Sequence, residues 1–315
     1  MISIVIPLYN KEKSIAKTLE SVWAQTYTDW ECIIVNDGST DKSADVIREW
    51  IETRNEKRET RFRVINQENG GVCSARNRGI RESVRESEFI AFLDADDLWD
   101  KDYLKEQMRM VNDFSECGMW SINYGETRDG KIIRDVPTGL EKGYRGIVEN
   151  YFEMQGRVSD LACSSSVLLR KEVFDKVGYF DERIKYSEDT DMWWRVMARY
   201  PFAFYDRYMV SYQFDAENRA MQRHRSLDSF LPYYVGKFKS FSDSEAFYKF
   251  IERWCAIWLS RYYISSKQYR MQAKQACAEL DYSVISPKYR WIFKTPFCVG
   301  WFVFQLAKIK QSLSK

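Results

Sequence analysis

Three carboxylates fall within Asp94-Ala95-Asp96-Asp97, directly after the apolar run Phe89-Ile90-Ala91-Phe92-Leu93. Hard cations such as Mg2+ and Mn2+ prefer oxygen ligands and commonly keep one or two protein carboxylates together with substrate phosphates. Asp94 and Asp96 stand two apart, so an extended backbone would send both side chains the same way. A bare D-x-D reads as a solvated turn or a helix cap. Its position after a strand, among other polar clusters, favours a cation site. Asp37 ends a second apolar run, in Val35-Asn36-Asp37-Gly38-Ser39-Thr40-Asp41. A carboxylate there can accept a hydrogen bond from a nucleobase N–H, and the segment equally fits an ordinary turn with an N-cap. In Asn69-Gly70-Gly71-Val72-Cys73-Ser74-Ala75-Arg76-Asn77 a glycine turn opens a helix. Glycine lets backbone approach a ligand closely, and the forked donors of Arg76 suit a diphosphate. Neither a P-loop nor a G-x-G-x-x-G fingerprint is present. Glu188-Asp189 opens a helical pattern; such acids serve the helix dipole or, in the functional reading, a general base.

These clusters need elements to hold them. Residues 2–7, 31–35, 63–65 and 89–93 read as strands, and helical patterns over 11–25, after 41 and after 71 lie between them. Strand–helix alternation predicts a mostly parallel sheet with helices on both faces, and ligands sit beyond the carboxyl ends of such strands. The polar clusters at 9–12, 36–41, 69–77 and 94–97 all fall at such ends. From about 120 to 215 the pattern loosens. Asp129-Gly130 reads as a hairpin turn between strands at 122–124 and 131–133. Residues 167–170 read as a strand and 188–200 as a helix. The remainder, 216–315, reads as helical and aromatic-rich.

Composition narrows the function classes. Hydrophobic residues are 45% and charged residues 30%, as in a globular protein with a core. Lys and Arg number 48 against 46 Asp and Glu, so no basic surplus points to nucleic acid. Seven cysteines without a C-x-x-C pair argue against a disulfide framework or zinc ribbon and predict buried, reduced thiols in a cytosolic protein. The one histidine, His224, argues against His-rich metal sites and a Ser-His-Asp triad. The chain reads as a strand from its first residues, so no leader peptide is expected. The uncharged stretch 295–307 would span about 20 Å as a helix, short of the roughly 30 Å of a bilayer core, and no transmembrane helix is expected.

Ile4-Val5-Ile6-Pro7-Leu8-Tyr9-Asn10-Lys11-Glu12 resembles the opening of the family 2 glycosyltransferases of bacterial cell-surface polysaccharide synthesis, which have the GT-A fold. The resemblance continues through the clusters at 35–41, 69–77, 93–97 and 188–189, in order and spacing, over about residues 2–200. It implies a GT-A, Rossmann-like catalytic domain over 1–215, with nucleotide-sugar binding in 1–100 and the acceptor and base part in 101–215. A helical C-terminal region over 216–315 would follow. It also implies an inverting hexosyl- or N-acetylhexosaminyltransferase with a nucleotide-diphospho-sugar donor, UDP being the foremost nucleotide. By analogy Pro7, Tyr9, Glu12, Asp37 and Asn69 frame the base and ribose, and Arg76 lies near the diphosphate or the base. Asp94 contacts the ribose or metal-bound water, with Ala95 beside it in the donor site. Asp96 binds the Mn2+ or Mg2+ that holds the diphosphate. Asp189 takes the acceptor's proton, and Glu188 positions it or the acceptor.

One departure stands out. Relatives carry a Tyr-Arg-x-His-like segment after the acidic pair, whose His helps bind metal or diphosphate. Here the matching stretch, Tyr212-Gln213-Phe214-Asp215-Ala216-Glu217-Asn218, has no His, and His224 lies beyond it. A non-catalytic nucleotide-sugar-binding relative and a sugar-phosphate nucleotidyltransferase are the alternatives. Intact Asp94, Asp96 and Asp189 argue against the first, and the absence of a Gly-rich, basic N-terminal loop argues against the second. From 283 to 315 there is no acidic residue, and six Lys and Arg alternate with aromatic rings. That pattern suits the surface of an anionic bilayer or, alternatively, a packed helix. The expected location is cytoplasmic, peripheral on the inner face of the membrane through 288–315, with a saccharide or lipid-linked saccharide as acceptor. The sugar, the linkage and the oligomeric state are left open by the sequence.

Overall fold

The computed structural model describes residues 1–54, 61–128, 131–134, 138–154, 161–213, 226–239 and 241–302. The chain divides into two compact units, Met1–Glu182 with Asp189–Arg223, and Arg183–Glu188 with His224–Lys315.

The first unit is built on one sheet. Strands β1 (Ile2–Leu8), β2 (Trp30–Asp37), β3 (Phe62–Gln67) and β4 (Phe89–Phe92) pair in parallel in the order β3-β2-β1-β4. Helices α1 (Ile15–Trp23), α2 (Ser43–Arg54) and α3 (Val72–Glu82) connect them. Alternate side chains of a strand face opposite sides. Ile4, Ile6, Cys32 and Ile34 accordingly pack with Ile15, Leu19, Val22, Ile47 and Trp50. Ile33 and Val35 pack with Ala75 of α3. The sheet thus carries helices on both faces. α3 lies so close to β1 that a Cβ at Gly79 would meet a Val5 methyl at 2.3 Å, which only glycine avoids.

Beyond β4 the sheet turns mixed. β9 (Val167–Arg170) enters antiparallel between β4 and β6 (Met119–Arg128), and β10 (Phe202–Gln213) runs parallel to β6. β5 (Leu98–Trp99) and β8 (Arg145–Ile147) pair antiparallel to β10, and β7 (Lys131–Arg134) pairs with β6. The parallel character expected from alternation therefore holds for the first four strands and for β6–β10. The strand at 167–170 is present; its antiparallel insertion was not foreseen. Asp129-Gly130, read as a hairpin turn, lies outside the described residues between paired β6 and β7. β10 was missed. Its apolar halves are separated by Asp206-Arg207-Tyr208, where the register with β6 shifts between Tyr205 and Val210. Helices α4 (Tyr103–Asp113), α5 (Val173–Val177) and α6 (Glu188–Met197) complete the run.

The second unit holds α7 (Glu245–Ser265), α8 (Lys267–Cys277) and α9 (Pro287–Lys294). Ser244 and Ser266 cap α7 and α8 by accepting the N–H of Phe247 and Tyr269. The segment 183–188 belongs here: Tyr186 bridges to Phe230, and the Lys185 N–H donates to the Ser229 carbonyl at 2.8 Å. All seven cysteines are free thiols. Five are buried as expected, but Cys163 is partly exposed and Cys298 exposed. Among the described residues no helix is long and apolar enough to cross a membrane.

Candidate active site

The four polar clusters meet at the carboxyl ends of β1–β4 and form a closed ring of side-chain contacts. The loop after β1 joins the loop after β2. Asn10 Oδ1 accepts the Thr40 N–H at 2.8 Å, the Lys11 N–H donates to Ser43 Oγ at 2.8 Å, and Glu12 Oε2 accepts the Lys42 N–H at 2.9 Å. Asn10 takes a left-handed backbone (φ 54°), which Asn tolerates better than most residues. These contacts use residues 11–14 as a turn, so α1 begins at Ile15 rather than at 11. The loop after β2 joins the loop after β3 through Asp37. Its carboxylate accepts Gln67 Nε2 at 2.7 Å and the N–H groups of Gly70 and Gly71 at 2.8 Å each, while Asn69 Nδ2 donates to its carbonyl at 2.8 Å. The loop after β3 reaches the carboxylate motif through Arg76, whose Nη2 donates to Asp94 Oδ1 at 2.8 Å. The ring closes where Lys11 Nζ meets Asp96 Oδ2 at 2.6 Å.

The carboxylate motif is a turn. The Asp97 N–H donates to the Asp94 carbonyl at 3.0 Å, and the backbone is not extended across Asp94-Ala95-Asp96. The expectation that both side chains point one way is therefore corrected. The turn sends Asp94 to Arg76 of α3 and Asp96 to Lys11. Ala95 is buried, and its carbonyl accepts Ser14 Oγ at 3.0 Å. Asp97, to which no role was given, is 2% exposed. Its carboxylate accepts Ser165 Oγ at 2.6 Å and the Gln213 N–H at 3.2 Å, and Ser165 Oγ also accepts the Asp94 N–H at 3.1 Å. Burial, then the neighbouring charges of Asp96 and Asp94, push its pKa well above the ordinary carboxylate value. Asp96 is raised by burial and by Asp94, against the pull of Lys11.

Asp189, on the first turn of α6, lies within the field of the same ring. Burial raises its pKa, Arg76 and the Thr190 N–H at 2.7 Å oppose that, and Asp94 adds to the rise. Arg76, itself 2% exposed, thus stands electrostatically between Asp94 and Asp189. Glu188 precedes it, partly buried, next to Ser187, whose backbone is left-handed (φ 60°). Pro7 lies in β1 opposite Val35, and Tyr9 follows the strand; both are partly buried. The stretch read as matching the family's His-containing segment ends β10 at Tyr212 and Gln213. Residues 214–218 and His224 lie outside the described residues.

Sequence reasoning gave no role to Lys11 or Asp97. The one signal for Lys11 was its membership of a strand-end polar cluster. The signal for Asp97 was a third acid where two suffice for a D-x-D.

A cation fits this site only in company. Asp96 already holds an ammonium, so it is built to carry positive charge. Yet among the described residues no group of three His, Cys, Asp or Glu could by itself hold a metal. A hard divalent ion here would draw its remaining ligands from phosphate and water oxygens, as Mg2+ and Mn2+ commonly do.

A parallel α/β half-sheet with this ring of polar loops and a mixed second half is the architecture of the GT-A fold. Residues 3–178, more than half of the chain, match Glycosyl transferase family 2, and the chain belongs to that family. EpsH of Bacillus subtilis (strain 168) is 41% identical over 140 residues, covering 42% of this chain and 38% of its own length. The uncharacterized glycosyltransferase EpsJ of the same strain is 32% identical over 197 residues, covering 60% and 54%. The chain therefore spans from about two fifths to about half of the length of these curated relatives. Residues 1–349 of S. aureus TarS, crystallised with UDP-GlcNAc, share the fold with a TM-score of 0.74 at 18% identity, over 97% of this chain and 92% of that one. The mannosyltransferase PcManGT from Pyrobaculum calidifontis, in complex with GDP-Man and Mn2+, aligns with a TM-score of 0.51 at 15% identity, over 98% and 86%. One fold thus carries both UDP and GDP donors.

Proposed function

We propose that this chain is a divalent-metal-dependent, inverting glycosyltransferase. It moves a hexosyl or N-acetylhexosaminyl group from a UDP-sugar to a hydroxyl of a saccharide or lipid-linked saccharide. The observation that carries this reading is the closed ring that brings Asp37, Arg76, Asp94, Asp96 and Lys11 together, with Asp189 coupled to it through Arg76.

Asp37 orders the Gly70-Gly71 turn. With about four lone-pair sites on a carboxylate, it keeps capacity for a nucleobase N–H. Pro7, Tyr9, Glu12 and Asn69 line the same strand ends and frame the nucleoside. Arg76 and Lys11 neutralise charge that builds on the departing diphosphate. Asp96, with Asp94 beside it, would hold Mn2+ or Mg2+, which supplies Lewis-acid stabilisation of that leaving group. The acceptor oxygen forms its bond to the anomeric carbon as the carbon–phosphate-oxygen bond breaks on the opposite face. The acceptor proton passes to Asp189, and the nucleoside diphosphate leaves. Burial lifts Asp189 toward neutrality and makes it a stronger proton acceptor than an exposed carboxylate. Glu188 positions the base or the acceptor. Residues 288–302 carry Lys288, Arg290 and Lys294 among exposed Trp291, Trp301 and Phe302. They would hold the enzyme on the anionic, cytoplasmic face of a membrane, where a lipid-linked acceptor resides.

A thermal-shift panel of UDP, GDP, dTDP and CDP with and without Mn2+ tests the donor. Ligand at 100 times its Kd stabilises by about 2.7 kcal/mol. A shift with UDP that needs Mn2+ and disappears in Asp96→Ala is expected. A shift with GDP alone would replace the donor, and no shift with any nucleotide would overturn the reading.

A further inference from the structure

We propose that Lys11 is the built-in counter-ion of Asp96 and the competitor that a divalent cation must displace. Metal then enters this site together with a diphosphate and only weakly without one. The inference rests on the nucleotide-sugar reading above and concerns the order in which the site fills.

The Lys11–Asp96 pair is short, 2.6 Å, and withdrawn, with side chains 11% and 16% exposed. A carboxylate so placed needs a positive partner, because an uncompensated buried charge is strongly unfavourable. The other carboxylates of the turn offer a bare cation little. Asp94 is engaged by Arg76, and Asp97 by Ser165 and Gln213. A metal arriving alone therefore meets one carboxylate already neutralised, and among the described residues no third protein ligand completes a cage.

A diphosphate changes both terms. It brings oxygen ligands for the metal and an anionic destination for the displaced ammonium. The backbone around Lys11 is pinned. Its N–H donates to Ser43 Oγ, and the N–H groups of the neighbouring Asn10 and Glu12 donate to Ser39 Oγ and to the Asp41 carboxylate. Only the four-carbon side chain needs to swing, and a flexible lysine stem suits that motion where a planar arginine fork does not.

Mn2+ itself is the probe. Free Mn2+ is followed by electron paramagnetic resonance as it is titrated into wild type, Lys11→Met, Lys11→Arg and Asp96→Ala, each with and without UDP. Circular dichroism and melting confirm that each variant is folded. Wild type should bind Mn2+ weakly alone and more tightly with UDP. Lys11→Met, with its competitor removed, should bind Mn2+ alone about tenfold more tightly and gain less from UDP. Lys11→Arg, which keeps the charge, should stay close to wild type without UDP, and Asp96→Ala should lose binding in both conditions. Equal or weaker Mn2+ binding by folded Lys11→Met overturns the competition. That failure is separate from failure of the nucleotide-sugar reading, which would show as no tightening by UDP in wild type.

Discussion

The strand-end rim of the first unit and the C-terminal helices of the second treat polar and apolar groups in opposite ways. In the rim, Asp37, Arg76 and Asp97 are buried and Asp96 is largely withdrawn from water, and each is held by a residue from another segment. In the second unit the ion pairs Lys239–Glu279 and Lys249–Glu245 lie on exposed side chains, where such pairs contribute little. Its buried face is mostly apolar, around Phe230, Phe247, Cys255 and Leu259, with the buried Glu252 held by the Asp281 N–H at 2.8 Å, and large rings at its end stay in contact with water. Gathering like and unlike charges out of water opposes folding unless geometry is good. A rim that does so is ordered before any ligand arrives, as the proposed metal-and-diphosphate site requires. An end that leaves Trp291 and Phe302 uncovered lacks such order and gains by meeting an apolar surface.

The largest effect should come from the rim's reacting group. Asp189→Asn removes the proposed proton acceptor while keeping the side-chain size and the contact with Thr190. Turnover should fall about 10²- to 10⁴-fold, with UDP binding retained in the thermal-shift panel. The wild-type pH profile sharpens this. Asp189 is raised by burial, and a base works only when deprotonated. The rate should therefore fall as pH drops through a value above the ordinary carboxylate range. Full activity in Asp189→Asn would place the base elsewhere and break the link between Arg76 and the chemistry.

A smaller effect, on stability, should separate Asp97 from the reacting groups. Asp97→Ala leaves the Gln213 N–H without its acceptor and the Ser165 hydroxyl without the carboxylate it donates to. A loss of about 1–3 kcal/mol follows, readable as a drop in Tm. Asp97→Asn can accept from Gln213 and donate to Ser165, and should hold the turn. The pH dependence carries a definite sign. The folded pKa of Asp97 is raised, so its contribution is full below the unfolded value and is lost as pH rises through the folded one. Melts from acid to neutral pH should show Asp97→Asn gaining on wild type as pH rises. A gap that shrinks instead would mean that Asp97 is held as a comfortable anion.

The contrast also explains what the sequence could reveal. The rim was legible because each polar cluster directly follows an apolar strand, and parallel strands put such ends on one side. Its pairings were not, because the partners lie far apart in the chain: Lys11 and Asp96 by 85 positions, Asn10 and Thr40 by 30. The turn at Asp94–Asp97, one of the readings a bare D-x-D allows, is closed locally by the Asp97 N–H on the Asp94 carbonyl, while its fastening by Ser165 and Gln213 is signalled by no local pattern. β9 looked like a strand but its direction depends on where 119–128 pairs. The excursion of 183–188 into the second unit rests on contacts with Ser229 and Phe230, again distant in sequence. The aromatic and basic character of the C-terminal end was plain from composition, but which rings face water was not, since Phe293 is buried while Trp291 and Phe302 are exposed.

That end supplies the smallest expected effect and the sharpest test of the contrast. Trp291 is 56% exposed and Phe302 60%, with Lys288, Arg290 and Lys294 close by in sequence and no acid from 283 onward. Basic side chains draw such a segment to anionic headgroups over about a Debye length, and rings then enter the acyl boundary. Single substitutions Trp291→Ser and Phe302→Ser should each weaken sedimentation with phosphatidylserine-containing vesicles about tenfold, the equivalent of partly burying one ring. Both should leave the UDP-dependent thermal shift of the rim intact. Raising salt should weaken binding of wild type and of both variants alike, since it screens the lysines and not the rings. Equal vesicle binding by wild type and both variants would mean that the rings do not enter the bilayer. Loss of the UDP shift in either variant would mean that rim and C-terminal end are not the independent regions their chemistry suggests.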